Sequence, residues 1–361
     1  MDRIINLDIP HIGEQIFENI DTETLVECLS VSKTWKVLSE NVLFKRFKNE
    51  LVRACRYESA KIVKILIERS DSDVLNSRQK VLVTFEDETP LELDRTPFQV
   101  ACEFGHTGIV KLLLSHAESK DIDLNAKSEF GYTGLMFACW DGHERTVKAI
   151  LDYEGGQPID MNAKDTQYGS TAFSLACNRD EIDVMKLLMD YSKSKNIDLN
   201  AIDDGRYGNG TTAFMSACTG HGADVVRVHL ENWNDQMNID FNAIHNGRTA
   251  FMIACCRSPY NTLLKENLDT VKLFLEHAES RGINLNATFT HYGVEWNAFM
   301  LSCLHGTAEV VQLLLDHSNI IHIDINAALQ IPQIYEKIEI RSLLEKYSEN
   351  PKKKLKTCNI F

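Results

Sequence analysis

The phrase TPFQVACEFGHTGIVKLLL, Thr96 to Leu114, returns along this chain in variant form. TGLMFACWDGHERTVKAIL starts at Thr133, TAFSLACNRDEIDVMKLLM at Thr171 and TAFMSACTGHGADVVRVHL at Thr212. TAFMIACC starts at Thr249 and resumes as DTVKLFLEH at Asp269, and NAFMLSCLHGTAEVVQLLL starts at Asn297. A chain that repeats one small unit buries the apolar faces of each unit against its neighbours. It therefore stacks along a line and presents a surface, instead of wrapping around one central core.

One cysteine per copy serves as a ruler: Cys55, Cys102, Cys139, Cys177, Cys218, Cys255 and Cys303. Nine residues beyond it stand Lys111, Lys148, Lys186, Arg227 and Gln312, and Cys55 to Lys64 keeps the same interval. Leu51 to Glu68 is thus a first, degenerate, capping copy. Cys255 to Lys272 is too long for the rule. The extra segment, Arg257 to Asn267, contains Pro259 and reads as an extended loop. Ser70 to Asp94 is a second irregular insertion.

Within a copy the pattern predicts two short antiparallel helices. Thr96 is suited to an N-cap and Pro97 to the first helical position, where its missing N–H is not needed. Phe98, Ala101 and Cys102 recur at helical spacing, Gly105-His106 turns the chain, and Ile109, Val110, Leu112 and Leu113 form a second apolar stripe. The polar stretch Asn125 to Gly131 suits a hairpin turn between copies.

These residues resemble the ankyrin repeat, with its Thr-Pro-Leu-His-x-Ala, Gly-His, Val-Val-Lys-Leu-Leu-Leu and Asp-Val-Asn-Ala. Thr96 to Ala126 fits well. The departures are Gln99, Met136, Ser174, Met215, Met252 and Met300 at the histidine position, and about four added residues, Ala117 to Asp121, read as one more helical turn. The resemblance covers roughly residues 50 to 347 and implies an all-α fold. It is a solenoid of about seven helix-turn-helix units joined by short hairpin loops, with a partial C-terminal cap.

Composition narrows the function. Hydrophobic content of 44% and charged content of 25% are those of a folded protein. MDRIINLDIP carries no secretory signal, no apolar run is long enough to span a bilayer, and the ruler cysteines sit where small apolar side chains pack. A reduced, cytoplasmic setting is expected. The net charge of −14 argues against nucleic acid as a partner, because binding it takes local positive charge.

Residues 1–49 form a second region. Pro10 precedes a helical segment holding Ile16, Phe17 and Ile20; Asp21 then caps a helix carrying Leu25, and Val31, Trp35 and Leu38 make a third apolar face. With Cys28 and Lys33, these residues look like an F-box, preceding the stack as a small helical domain. That resemblance implies docking of a Skp-type adaptor through Pro10, Ile16, Phe17, Ile20, Leu25, Val31 and Trp35, and hence a cullin ubiquitin ligase. The plainer reading is a helical cap on the first repeat.

Residues 348–361 end in Lys352, Lys353, Lys354, Lys356 and then Cys358-Asn359-Ile360-Phe361, which matches a prenylation box at Cys358 with a phenylalanine favouring geranylgeranyl. The four lysines supply the second, electrostatic signal that one lipid chain needs on an anionic membrane surface. A frayed solvated tail is the alternative. With the lipid, the protein is expected at the cytosolic face of a membrane.

No phosphate loop, nucleophile elbow or metal-protease pattern appears, so neither catalysis nor a cofactor is expected. His106, His143 and His221 fall in turns one to two repeats apart, too dispersed for zinc. Candidates for contact with a target protein are the aromatics at hairpin tips and the residues near them: Phe130, Tyr132, Trp140, Tyr168, Arg206, Tyr207, Arg248, Tyr292 and Trp296. The same aromatics could simply pack on the next hairpin. Two functions stay open: target receptor of an SCF-type ubiquitin ligase, or membrane-tethered scaffold without a ligase.

Overall fold

The computed structural model describes residues 24, 27, 29–30, 33–47, 51–83, 91–203, 210–218, 223–232, 237–256 and 264–349. The chain divides into two compact units, Met1–Gln167 and Tyr168–Phe361.

In the first unit, α1 (Lys33–Phe47) is followed by helix pairs α2/α3 (Leu51–Arg56, Ala60–Arg69), α5/α6 (Pro97–Glu103, Thr107–Lys120) and α7/α8 (Gly134–Trp140, Glu144–Leu151). Between the first two pairs lie α4 (Ser72–Leu75) and the antiparallel hairpin β1–β2 (Gln79–Val83, Leu91–Arg95). First helices stack on first helices and second on second: α5 touches α2 and α7, while α6 touches α3 and α8. The second unit holds α9/α10 (Ala172–Asn178, Ile182–Tyr191), α11/α12 (Ala213–Ala217, Ala223–Glu231), α13/α14 (Ala250–Ala254, Leu264–His277) and α15/α16 (Ala298–His305, Ala308–Asp316). The hairpin β3–β4 (Thr288–His291, Val294–Asn297) precedes α15, and α17 (Ile325–Leu329), a 3-10 turn (Pro332–Glu336) and α18 (Ile338–Glu349) close the end.

The first helices start where they do because each has a side chain that can replace a missing helical acceptor. Thr96 Oγ1 accepts from the backbone N–H of Gln99 at 3.3 Å, and the Gln99 carboxamide oxygen accepts from the Thr96 N–H at 3.0 Å. This is a capping box. Thr133, Thr171, Thr212, Thr249 and Asn297 accept from the third helical residue in the same way. Two residues beyond the cap stands a fully buried Phe98, Leu135, Phe173, Phe214, Phe251 or Phe299, and this column is the spine of each stack. The ruler cysteines are buried beside it. Burial pushes the thiols of Cys102, Cys139, Cys218 and Cys255 upward and that of Cys303 to about 12, so they pack as small apolar groups and do not ionise.

Asp/Asn-x-Asn, which follows the second helices from α6 onward, is a two-part clamp. Asp240 Oδ1 accepts from the Asn242 N–H at 2.9 Å, which turns the loop and aims the asparagine. The Asn242 carboxamide then holds the following repeat at two points, accepting from Asn284 N–H at 2.7 Å and donating to Gly282 C=O at 2.8 Å. Asn76, Asn125, Asn200 and Asn286 make the equivalent pair of bonds. A carboxamide carries its acceptor and its donor on separate atoms about 2.3 Å apart, which suits two bonds to neighbouring backbone groups. Asn242→Ala is therefore expected to cost about 1–2 kcal/mol in urea unfolding, with Asn242→Asp, which keeps the acceptor, falling between. An unchanged midpoint for both variants would show that water replaces the clamp without loss.

The ends of the two units are closed by helices outside the repeat pattern. Leu38, Val42 and Leu43 of α1 are buried, α1 packs on α3, and Arg69 of α3 donates to Glu40 at 2.8 Å and Asn41 at 2.7 Å. In the second unit, α18 covers α16 with Ile340, Leu344 and Tyr347.

Three expectations need correction. The fold is mostly helical, but two-stranded hairpins lie where only loops were expected. Ser70 to Asp94 is no irregular insertion but contains α4, β1 and β2, capped by Asp71 through Val74 N–H at 3.1 Å. Arg257 to Asn267 is not loop throughout, since α14 already starts at Leu264. The added residues Ala117 to Asp121 do extend α6, which runs to Lys120 and ends on Asp121 at a positive φ of 51°.

Candidate protein-binding site

The residue just before each helix cap lies where the hairpin meets the first helix, and in two layers it is an arginine. In the first unit it is Arg95, at the end of β2. Its guanidinium lies 3.3 Å from a Glu103 carboxylate oxygen and 4.6 Å from the centroid of Phe137. Tyr132 stacks on Phe137 at 5.4 Å, and Trp140 meets Tyr132 edge-on at 6.3 Å. Burial raises the Glu103 carboxyl above its usual range, with Arg95 pulling it back down. Here the cation, the carboxylate and the aromatics already satisfy one another.

In the second unit the arginine is Arg248. It closes a two-residue turn in which His245 and Arg248 exchange backbone hydrogen bonds at 2.9 Å in each direction, with Asn246 and Gly247 at positive φ of 49° and 75°. Glycine suits 247 because of its positive φ, and a Cβ there would also press on the ring of Phe289 at 3.1 Å. Phe289 pairs across the next hairpin with Trp296, and His291 with Val294, so these four share one face. Turn and hairpin wall an open groove of about 250 Å³, floored by Leu301 and Leu304 of α15 and ended by His305. Arg248 is half-buried there, and among the described residues its guanidinium has no hydrogen-bond or ion-pair partner. Burial first, then Arg248 and Lys337, lower the His305 pKa and keep that ring neutral at pH 7.

The structure brings together Arg248 and Trp296 of the expected contact residues. Tyr292 caps the same hairpin, 93% exposed, with its ring edge-on to His291 at 4.3 Å. Tyr132 and Trp140 join the satisfied cluster of the first unit, Phe130 is half-buried, and Tyr168 is 40% exposed. Arg206 and Tyr207 lie outside the described residues. So do Pro10, Ile16, Phe17, Ile20, Leu25, Val31, Lys352, Lys353, Lys354, Lys356 and Cys358; Trp35 lies on α1. Sequence reasoning missed Phe289, Leu301, Leu304 and His305. The alternation Thr288-Phe289-Thr290-His291 about Tyr292-Gly293 was a strand signal that could have revealed the first of them.

His106 and His143 bond backward, His106 Nε2 to Arg56 C=O at 2.8 Å and His143 Nε2 to Glu103 C=O at 2.9 Å, tying successive turns together. Among the described residues no group of three or more His, Cys, Asp or Glu could hold a metal ion, and no helix is long and apolar enough to cross a membrane.

A family model for ankyrin repeats, of three copies, matches residues 51–165 and 118–203. The crystal structure of the ankyrin repeat domain of Bcl-3, described as a unique member of the IkappaB protein family, superposes with a TM-score of 0.54. The match covers 73% of this chain and 96% of that one at 18% identity. This is the ankyrin-repeat fold. Ankyrin repeats are protein–protein interaction modules, so the groove of Arg248 and Trp296 sits on a scaffold of the kind that binds proteins. Among curated proteins, none matches this chain by sequence.

Proposed function

We propose that this protein is the target-recognition subunit of an SCF-type ubiquitin ligase, the ankyrin stack capturing a protein and residues 1–49 docking a Skp-type adaptor. Ubiquitin transfer itself falls to the cullin ligase and its partners, and this chain does no chemistry. The reading is carried by the F-box-like pattern of Ile16, Phe17, Ile20, Leu25, Val31 and Trp35, and the seating of α1 fits both it and a plain helical cap. This helix is the last of the F-box-like segment, and it is fastened to the first repeat by buried Leu38, Val42 and Leu43 and by Arg69–Glu40. A receptor of this class must hold its target at a set distance from the ligase, and a helix packed against the stack supports that better than a free tether. The lysines at 352–354 and 356, with a lipid on Cys358, would place this work at the cytosolic face of a membrane.

Co-precipitation with a Skp-type adaptor tests it. The wild-type chain is expected to retain adaptor and cullin, and the double variant Phe17→Ala, Trp35→Ala to lose both while keeping its thermal midpoint. A wild-type chain that captures no adaptor would end the ligase reading. The membrane-tethered scaffold would then remain, and Cys358→Ser should release it from membranes.

A further inference from the structure

We infer that the groove between the Asn246–Arg248 turn and the β3–β4 hairpin is a receptor site for an acidic segment of a partner protein. A glutamate or aspartate carboxylate pairs with Arg248, and an adjoining apolar side chain lies against Phe289, Trp296 and Leu304. The inference deepens the reading of the ankyrin repeats as a binding module and does not depend on the ligase connection.

Arg95 and Arg248 occupy the same register, each immediately before the helix-capping threonine. In the Arg95 layer the residue after the ruler cysteine is Glu103, and it supplies the carboxylate at 3.3 Å. In the Arg248 layer the residue after the ruler cysteine is Cys256. Arg248 stands close enough to Cys256 to oppose the upward push of burial on its thiol. The guanidinium is thus in place with the carboxylate deleted, and the groove in front of it is lined by no acidic residue. His291, His305 and Lys337 add positive or neutral groups to the same neighbourhood, on a chain whose net charge is −14. On an otherwise acidic protein, this cationic spot offers a carboxylate a short-range attraction that the surrounding surface does not. Size sets the rest. A space of about 250 Å³ is smaller than the roughly 300–1,000 Å³ of small-molecule sites and suits one or two side chains of an extended peptide.

The test uses the full chain, fluorescently labelled, on an array of ten-residue peptides that place one glutamate beside leucine or phenylalanine, with glutamine and phosphoserine versions of each. Binding of the best glutamate peptides is then measured in solution. Glutamate is expected to exceed glutamine by about tenfold or more, and Arg248→Gln to erase the difference. Cys256→Glu restores the internal carboxylate and is expected to block the peptides while leaving the thermal midpoint unchanged or raised. A third variant, Arg95→Gln, should leave peptide selectivity intact, which separates the groove from a general charge effect. Equal binding of glutamate and glutamine peptides, an Arg248→Gln variant with wild-type selectivity, a preference for phosphoserine, or no peptide bound at all would each overturn the inference. None of these results touches the adaptor co-precipitation.

Discussion

Phe214→Ala is expected to remove about 3–5 kcal/mol from the stability of the second unit, the usual cost of emptying a fully packed phenylalanine site. Phe214 lies two residues past its helix cap and is 1% exposed. Its ring centroid is 5.1 Å from Phe241, 5.2 Å from His229 and 5.6 Å from Phe274, so one side chain joins α11 to α12, to α14 and to the loop between them. In a stacked array each unit is held only by its neighbours, and a cavity in one layer weakens two interfaces at once. Amide hydrogen exchange should show the loss centred on α11, α12 and α14. A change below about 1 kcal/mol would mean that the layer collapses to fill the space, and would contradict the tight packing described here.

Acid should unfold the second unit through His229. In the other copies this core position holds an apolar residue such as Leu113, yet here a fully buried imidazole sits between Phe173 and Phe214. Its Nδ1 is 2.8 Å from Val225 C=O and its Nε2 faces Cys177 Sγ at 3.9 Å. Burial lowers its pKa to about 4, against about 6.5 in the unfolded chain. The depressed folded value means that the neutral ring favours the fold. That stability is complete above pH 6.5 and is lost as pH falls from there toward 4. The full loss is on the order of 3 kcal/mol, and roughly 2 kcal/mol of it is gone by pH 5. Urea titrations at pH 7.5 and 5 measure it, and His229→Leu should remove this part of the slope. If the variant keeps the wild-type slope between those pH values, other titratable groups carry the acid sensitivity instead.

Much of the ankyrin core was legible because its signals are local. A threonine cap acts on the amide three residues ahead, and the ruler cysteine lies on the same short helix, so both recur in every copy as sequence patterns. His229 was passed over in the sequence, because its consequence depends on Phe173 and Phe214 from two other helices. The asparagine of Asp-x-Asn looked like turn punctuation. Its purpose is to clamp a loop some forty residues away, and a single chain pattern does not name that partner. Rows of tip aromatics at regular spacing suggested one continuous binding face. The neighbours differ, however: Tyr132 is used up in a cluster with Phe137 and Trp140, whereas Trp296 is left open beside Arg248.

The sequence by itself therefore determined the repeat, the helix boundaries set by the caps, the apolar stripes and the buried cysteines. Each of these depends on spacing within about twenty residues. Tertiary structure alone decided which arginine is satisfied and which is not. Arg95 and Arg248 read alike in the chain, and only the folded layer shows Glu103 delivered to the first and Cys256 to the second. Charge pairing is settled by distance in space: Arg95 and Glu103 stand at the two ends of one short helix, and its fold brings their side chains to 3.3 Å.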